Sequence, residues 1–207
     1  MLLGIDTCGG VGSIVLARWS GGPIELIAEA EIAGKTYSAQ LIPRIQELLD
    51  VQQCGPQDLE AIVVVHGPGS FTGVRVGLSA AKGLAEVLSI PLVAVSRLAV
   101  LAATAGTDAA ALDAGRGEFY FRFEVEEALL TPEEIRARIS GTLAVCEENA
   151  SQAFPNALLI QPPTAADALR YAVPRLSAKD FDDVATIDGN YVRRSDAELF
   201  AQQGTRR

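Results

Sequence analysis

Apolar positions along the chain cluster and alternate in patterns that set out most of its elements. Residues 2–6 and 13–17 are short apolar runs separated by Thr7-Cys8-Gly9-Gly10-Val11-Gly12, which predicts a β-hairpin with a glycine-rich turn. Gly21-Gly22-Pro23 makes a second turn and residues 25–32 alternate in part, so three antiparallel strands are expected to open the protein. Over residues 36–50 the period changes. Leu41, Ile42, Ile45, Leu48 and Leu49 recur at helical spacing, with Thr36 or Ser38 as N-cap. Pro43 inside this stretch predicts a kink or a late start.

Ala61-Ile62-Val63-Val64-Val65 is a continuous apolar run, the pattern of a parallel strand buried on both faces. It leads into His66-Gly67-Pro68-Gly69-Ser70-Phe71-Thr72-Gly73, a helix over 71–88, the stop Ser89-Ile90-Pro91 and a strand over 92–95. Strand, glycine loop, helix and strand make a βαβ unit. Residues 98–105 read as a helix ended by Gly106. Beyond it the pattern weakens. Strands are expected at 109–113, 118–125, 142–146 and 157–160, a short helix after Thr131-Pro132-Glu133-Glu134, and another over 165–173. The predicted organisation is α/β in two lobes. These are 1–105 and a reduced 106–207, the last ~20 residues of which pack back on the first lobe.

Composition narrows the function. The 207 residues carry 26 acidic and 17 basic side chains, a net charge of −9. That argues against an autonomous nucleic-acid binder, which needs a basic stripe to neutralise phosphates. With 49% hydrophobic residues a real core is expected and disorder is not. Cys8, Cys54 and Cys146 lie far apart with no CxxC spacing, as expected of reduced thiols in a cytoplasmic protein. The start lacks a basic n-region, and Asp6 interrupts its apolar run, so it reads as a strand and not a signal peptide. No window approaches the ~18–20 uninterrupted apolar residues of a membrane span. His66 is the single histidine, so a His-His metal pair is impossible and a Ser-His-Asp triad could form only around it.

Two segments carry the candidate chemistry. In the loop 67–73, glycine N–H groups at a helix N-terminus and the hydroxyls of Ser70 and Thr72 form an anion-site pattern. No Gly-Lys-Ser/Thr follows, and the GxGxxxG spacing is one residue too long for the dinucleotide fingerprint. A tight strand-to-helix turn that needs small residues is the alternative. The following helix is rich in small residues, with Gly77 and Gly83 in its interior. Each costs roughly 1 kcal/mol relative to alanine, so close approach of another element should offset it. Either the sheet of the same chain or a partner's helix could do so. The turn Asp6-Thr7-Cys8-Gly9-Gly10 could hold a phosphate or a metal-bound water through Asp6. Asp113, Arg116 and Glu118 read as a polar turn.

Several motifs together resemble the TsaB family: the opening Gly-Ile-Asp-Thr, Gly67-Pro68-Gly69-Ser70-Phe71-Thr72-Gly73-Val74-Arg75-Val76-Gly77, the stretch from Leu112-Asp113-Ala114-Gly115-Arg116 to Tyr120, and Asn190-Tyr191-Val192-Arg193. The resemblance implies an actin/sugar-kinase/heat-shock-chaperone ATPase-like (ribonuclease-H-like) fold. In that superfamily the turn after strand one approaches nucleotide phosphates. Asp6, Thr7, Gly69, Ser70, Thr72 and Gly73 are therefore the candidate vestigial phosphate residues. It also implies a non-catalytic subunit in threonylcarbamoyladenosine synthesis on tRNA. Such a subunit activates the transferase TsaD and recruits the ATPase TsaE, and tRNA is met mainly through the complex. The chain itself would hold no cofactor; ATP or ADP and the metal sit on the partner subunits. TsaD binds its metal through a His-x-x-x-His pair after the strand equivalent to 92–95, and residues 96–101 here contain no histidine. The family often has histidine where this chain has Tyr37.

The resemblance places the TsaD interface on helices 36–50 and 71–88, with Leu41, Ile45, Leu48, Val74, Gly77, Leu78 and Ala81 as interface residues and a homodimer as the alternative in the absence of the partner. On this reading Gly77→Leu leaves the fold largely intact and weakens pairing. The competing reading is an independent ATP-binding small-molecule kinase or ATPase using Asp6 and the loop 67–73. A glycoprotease, a label the wider family has carried, has no metal pair to run on.

Overall fold

The computed structural model describes residues 1–192. In chain order the elements are β1 (Leu2–Asp6), β2 (Val11–Arg18), β3 (Glu25–Ala33), α1 (Tyr37–Val51), β4 (Ala61–Val65), α2 (Phe71–Leu88), β5 (Leu92–Val95) and α3 (Arg97–Ala105). There follow β6 (Ala109–Gly115), β7 (Glu118–Phe123), β8 (Glu126–Leu130), α4 (Pro132–Arg138), β9 (Leu143–Val145), α5 (Glu148–Ala153), β10 (Leu158–Leu159) and α6 (Ala165–Ala178). The chain divides into two compact units. The first is Met1–Val100 with Pro163–Asn190, and the second is built on Leu101–Pro162.

The first unit is a five-stranded sheet in the order β3-β2-β1-β4-β5. The three opening strands are antiparallel, as their hairpin pattern predicts, and β4 and β5 add in parallel. Every residue of β4 is buried, as a strand covered on both faces requires. On one face Leu3, Ile5, Ile14 and Leu16 pack with Leu41, Ile45 and Leu78 of α1 and α2. On the other, α6 lays Ala165, Ala168, Leu169 and Ala172 against the sheet. Gly4 lets it approach: a Cβ there would stand 3.0 Å from both Ala165 O and the Leu169 side chain.

The second unit repeats the same strand plan in the order β8-β7-β6-β9-β10, with β6, β7 and β8 antiparallel and β9 and β10 parallel. Its parts are shorter, with a three-residue β9 and a two-residue β10. Its core holds Phe119, Phe121, Leu130 and Ile135, and Phe119 meets Phe154 edge to face at 5.1 Å.

The structure differs from the sequence-based expectation in four places. The strand expected over 118–125 ends at Phe123, because Glu124 turns left-handed (φ 54°) and the chain reverses into β8. The short helix α5 was not expected. Helix α6 continues through Pro174 to Ala178 and stops at Lys179 in the left-handed conformation. Residues 163–190 return to the first unit, whereas the expected second lobe takes in everything from 106 onward. The C-terminal packing expected of the last residues falls, for 193–207, outside the described residues. Among the described residues no helix is long and apolar enough to cross a membrane.

Candidate functional site

The first unit brings the two candidate segments together. The β1–β2 turn and the loop after β4 meet backbone to backbone. Thr7 Oγ1 donates to Gly73 O at 2.7 Å, Ser70 N donates to Cys8 O at 2.8 Å, and Cys8 Sγ donates to Val65 O at 3.2 Å. This contact explains the glycines. A Cβ on Gly69 would overlap Cys8 O, one on Gly73 would overlap Thr7 O, and one on Gly77 would overlap Thr7 Oγ1. Ser70 caps α2, its hydroxyl accepting from Gly73 N at 3.3 Å. Ser70 and Thr72 remain exposed.

The candidate phosphate residues are thus gathered, and several of the groups a phosphate would need are engaged within the chain. Asp6, 5% exposed, accepts from Cys8 N at 2.8 Å. The Tyr37 hydroxyl donates to Gly9 O at 2.9 Å, and its ring lies against Gly12 and Gly73. Gly34 N reaches Gly10 O at 2.9 Å. The buried Arg97 enters from the start of α3. Its backbone N donates to Gly67 O at 2.7 Å, and its Nη2 would be 2.9 Å from a Cβ on Gly9. The far side of the loop is tied to the end of the first unit, where Asn190 N donates to His66 O at 2.7 Å and His66 Nδ1 lies 3.1 Å from Asp188 O.

Electrostatics follow from this burial. Loss of water raises the Asp6 pKa, and the Arg97 guanidinium opposes the rise. Burial, reinforced by the charge of Asp6, pushes the Cys8 thiol well up, so this cysteine is no ready nucleophile. Burial first, then Asp6 and Cys8, push Tyr37 up to about 12. Motif reading gave Arg97 no role and noted Tyr37 only where the family often has histidine, without placing it at this turn. The available signals were an arginine directly after a buried strand, at 96–101, and an aromatic residue at the start of an amphipathic helix.

The seven expected interface residues are core residues of this unit. Leu41, Ile45, Leu48, Val74, Gly77, Leu78 and Ala81 are all buried. Helical periodicity locates an apolar stripe but does not say what covers it, and here the sheet does. The opposite faces are exposed: Ile42 (51%) and Val51 (70%) on α1, and Phe71 (54%) and Val87 (82%) on α2. Arg75 stacks its guanidinium 3.8 Å from the centre of the Phe71 ring. Gly83 lies exposed in mid-helix with nothing beyond its own helix within 4 Å of where its Cβ would be, among the described residues.

In the second unit Asp113 holds its own turn, accepting from Gly115 N and from Asn149 Nδ2, both at 2.7 Å. Arg116 sits left-handed (φ 58°) in the hairpin that follows. Among the described residues no group of three or more His, Cys, Asp or Glu side chains is placed to hold a metal ion.

Two copies of the same plan, three antiparallel strands followed by two parallel ones with helices on the faces, define the class. It is the actin/sugar-kinase/heat-shock-chaperone ATPase-like, ribonuclease-H-like fold, with a reduced second unit. The family described as "TsaD: tRNA N6-adenosine threonylcarbamoyltransferase" matches residues 29–186. The chain belongs to that family, among its TsaB-type members. It is 41% identical over 123 residues to the tRNA threonylcarbamoyladenosine biosynthesis protein TsaB of Bacillus subtilis (strain 168), covering 58% of this chain and 52% of that protein. It is 32% identical over 155 residues to the protein of the same name from Escherichia coli (strain K12), covering 67% and 65%. The solved structure of YeaZ from Pseudomonas aeruginosa matches with a TM-score of 0.77 at 26% identity, over 92% of this chain and 99% of that one. The chain spans between about half and two thirds of the length of these two curated relatives.

Proposed function

We propose that this chain is a non-catalytic subunit in the synthesis of threonylcarbamoyladenosine on tRNA. It pairs with the transferase TsaD through the outward faces of α1 and α2 and serves the ATPase TsaE in the same assembly. The names of its relatives support the pathway. Gly83 is the observation that carries the docking face. Gly73 and Gly77 are explained by Thr7, whereas Gly83 has no neighbour among the described residues, its own helix aside, to justify its cost. A glycine kept in an exposed helix between Ser79 and Val87 fits close approach by a partner's helix. When TsaD is absent, the same face is available to a second copy.

The engaged β1–β2 turn supports the non-catalytic part of the reading. Tyr37 and Arg97 occupy the space over Gly12 and Gly9, which supports a reading in which the chain holds no cofactor of its own and ATP or ADP and the metal sit on the partner subunits. With a net charge of −9 the chain would meet tRNA mainly through the complex. The assembly is cytoplasmic on this account. The test is to incubate tRNA and threonylcarbamoyl-adenylate with the chain alone, with TsaD alone and with both. Modification that depends on TsaD and is raised by the chain is expected; modification by the chain alone would overturn the reading. Calorimetry with ATP and magnesium addresses the kinase alternative, which requires micromolar affinity of the isolated chain.

A further inference from the structure

Among the described residues, the first unit closes one edge of its sheet and pairs no strand to the other. At β5, Asp182 N donates to Leu92 O at 2.9 Å and the Asp182 carboxylate accepts from Ala94 N at 2.7 Å. The segment after α6 therefore covers that edge. At the opposite edge β3 runs for nine residues and, among the described residues, pairs only with β2. Edge strands are usually blunted by charged side chains, lysine above all, or by proline, a bulge or shortness, and the charges on β3 are all glutamates. Strand β3 contains neither lysine nor proline, and its bulge lies at Ile27, where Leu16 pairs with Ala28 and Ala17 with Leu26. Residues 28–33 are left as a regular, unbulged stretch.

Along that stretch the two faces differ. Ala28, Ala30 and Ile32 pack into the core, while Glu29 and Glu31 point the other way and are exposed. Neither glutamate has an ion pair or hydrogen-bond partner for its side chain among the described residues. The edge thus offers a regular strand margin beside a row of carboxylates, up to Ala33, whose carbonyl already accepts from the Thr36 hydroxyl at 2.8 Å.

We propose that residues 28–33 of β3 accept a basic, extended polypeptide segment as a sixth strand. Main-chain hydrogen bonds would supply the affinity, and lysine or arginine at alternate positions would stand cross-strand from Glu29 and Glu31. A second copy of this chain fits poorly, because two β3 edges would bring like carboxylates opposite each other. The proposal is independent of the docking face on α1 and α2.

The full chain can be tested with a fluorescent, end-blocked peptide that alternates lysine and valine. Anisotropy gives the affinity, and amide chemical shifts give the place. Saturable binding centred on residues 28–33 is expected. It should weaken by roughly tenfold or more in Glu29→Lys/Glu31→Lys, whose thermal midpoint stays within a few degrees of the parent. It should weaken as much when alternate peptide bonds are N-methylated, which keeps the charge and removes the donors. Equal binding of the N-methylated peptide would reduce the effect to charge attraction and overturn the proposal. So would absence of binding, or β3 amides that shift with protein concentration alone, which would put a second copy on the edge.

Discussion

At Thr7 the hydroxyl and the carbonyl both face α2, and the helix has glycine at the two positions they meet. Thr7 Oγ1 is fixed by its bond to Gly73 O, so it cannot yield to a side chain on Gly77. Gly77→Leu is therefore expected to lose at least ~2 kcal/mol of stability through overpacking and a broken buried hydrogen bond. This replaces the expectation that the substitution spares the fold. Gly83→Ala should instead gain up to ~1 kcal/mol, and urea denaturation of the two variants separates the two roles. The sequence showed that these glycines were costly. It did not show which were spoken for, because Thr7 and Gly73 meet across 66 residues of chain. Tyr37 gives a pH test. Its folded pKa of about 12 lies above the ordinary 10, so the native state holds the phenolic proton more tightly. That contribution is present below pH 10 and is lost as pH rises from 10 to 12. Tyr37→Phe should be less stable by ~1 kcal/mol at neutral pH, for loss of the bond to Gly9 O, and the gap should close in that window.

Among the elements, the strands and long helices of the first unit were legible because each has its own period. The continuous run of β4, the helical stripe of α1 and the small-residue helix α2 all lie where the pattern predicts. The β7–β8 hairpin was not legible, since it turns at Glu124-Val125 with no glycine, proline or asparagine to mark it. Helix α6 was visible as a helix, but its attachment was not. Its backbone reaches Ser13 Oγ from Ala165 N at 2.8 Å, a contact spanning 152 residues. Its docking is tested by Leu169→Ala. This fully buried side chain lies over Gly4, so the loss should be ~2–5 kcal/mol, measured by denaturant titration of the full chain. A loss below ~1 kcal/mol would mean that α6 adds little to the first unit.

For the molecule as a whole, the sequence motifs already pointed to the fold class and the family, and the repeated strand plan and the comparisons agree with them. Internal duplication was invisible in the sequence, because the second unit keeps the topology with shorter elements. The candidate site changed most. Asp6, Thr7 and the loop 67–73 do converge, yet Tyr37 and Arg97 fill the space beside them. The proposed docking face likewise lies not on the buried stripe but on the exposed residues Ile42, Phe71, Gly83 and Val87. The central claim is that this outward face pairs with TsaD. Calorimetric titration of TsaD from the same source with the chain and with its Gly83→Leu variant tests it most directly. The parent should form a stable complex. The variant should keep a thermal midpoint at or above the parent's and bind at least ~10-fold more weakly. Equal affinity of parent and variant, or a parent that does not bind TsaD, would contradict the account.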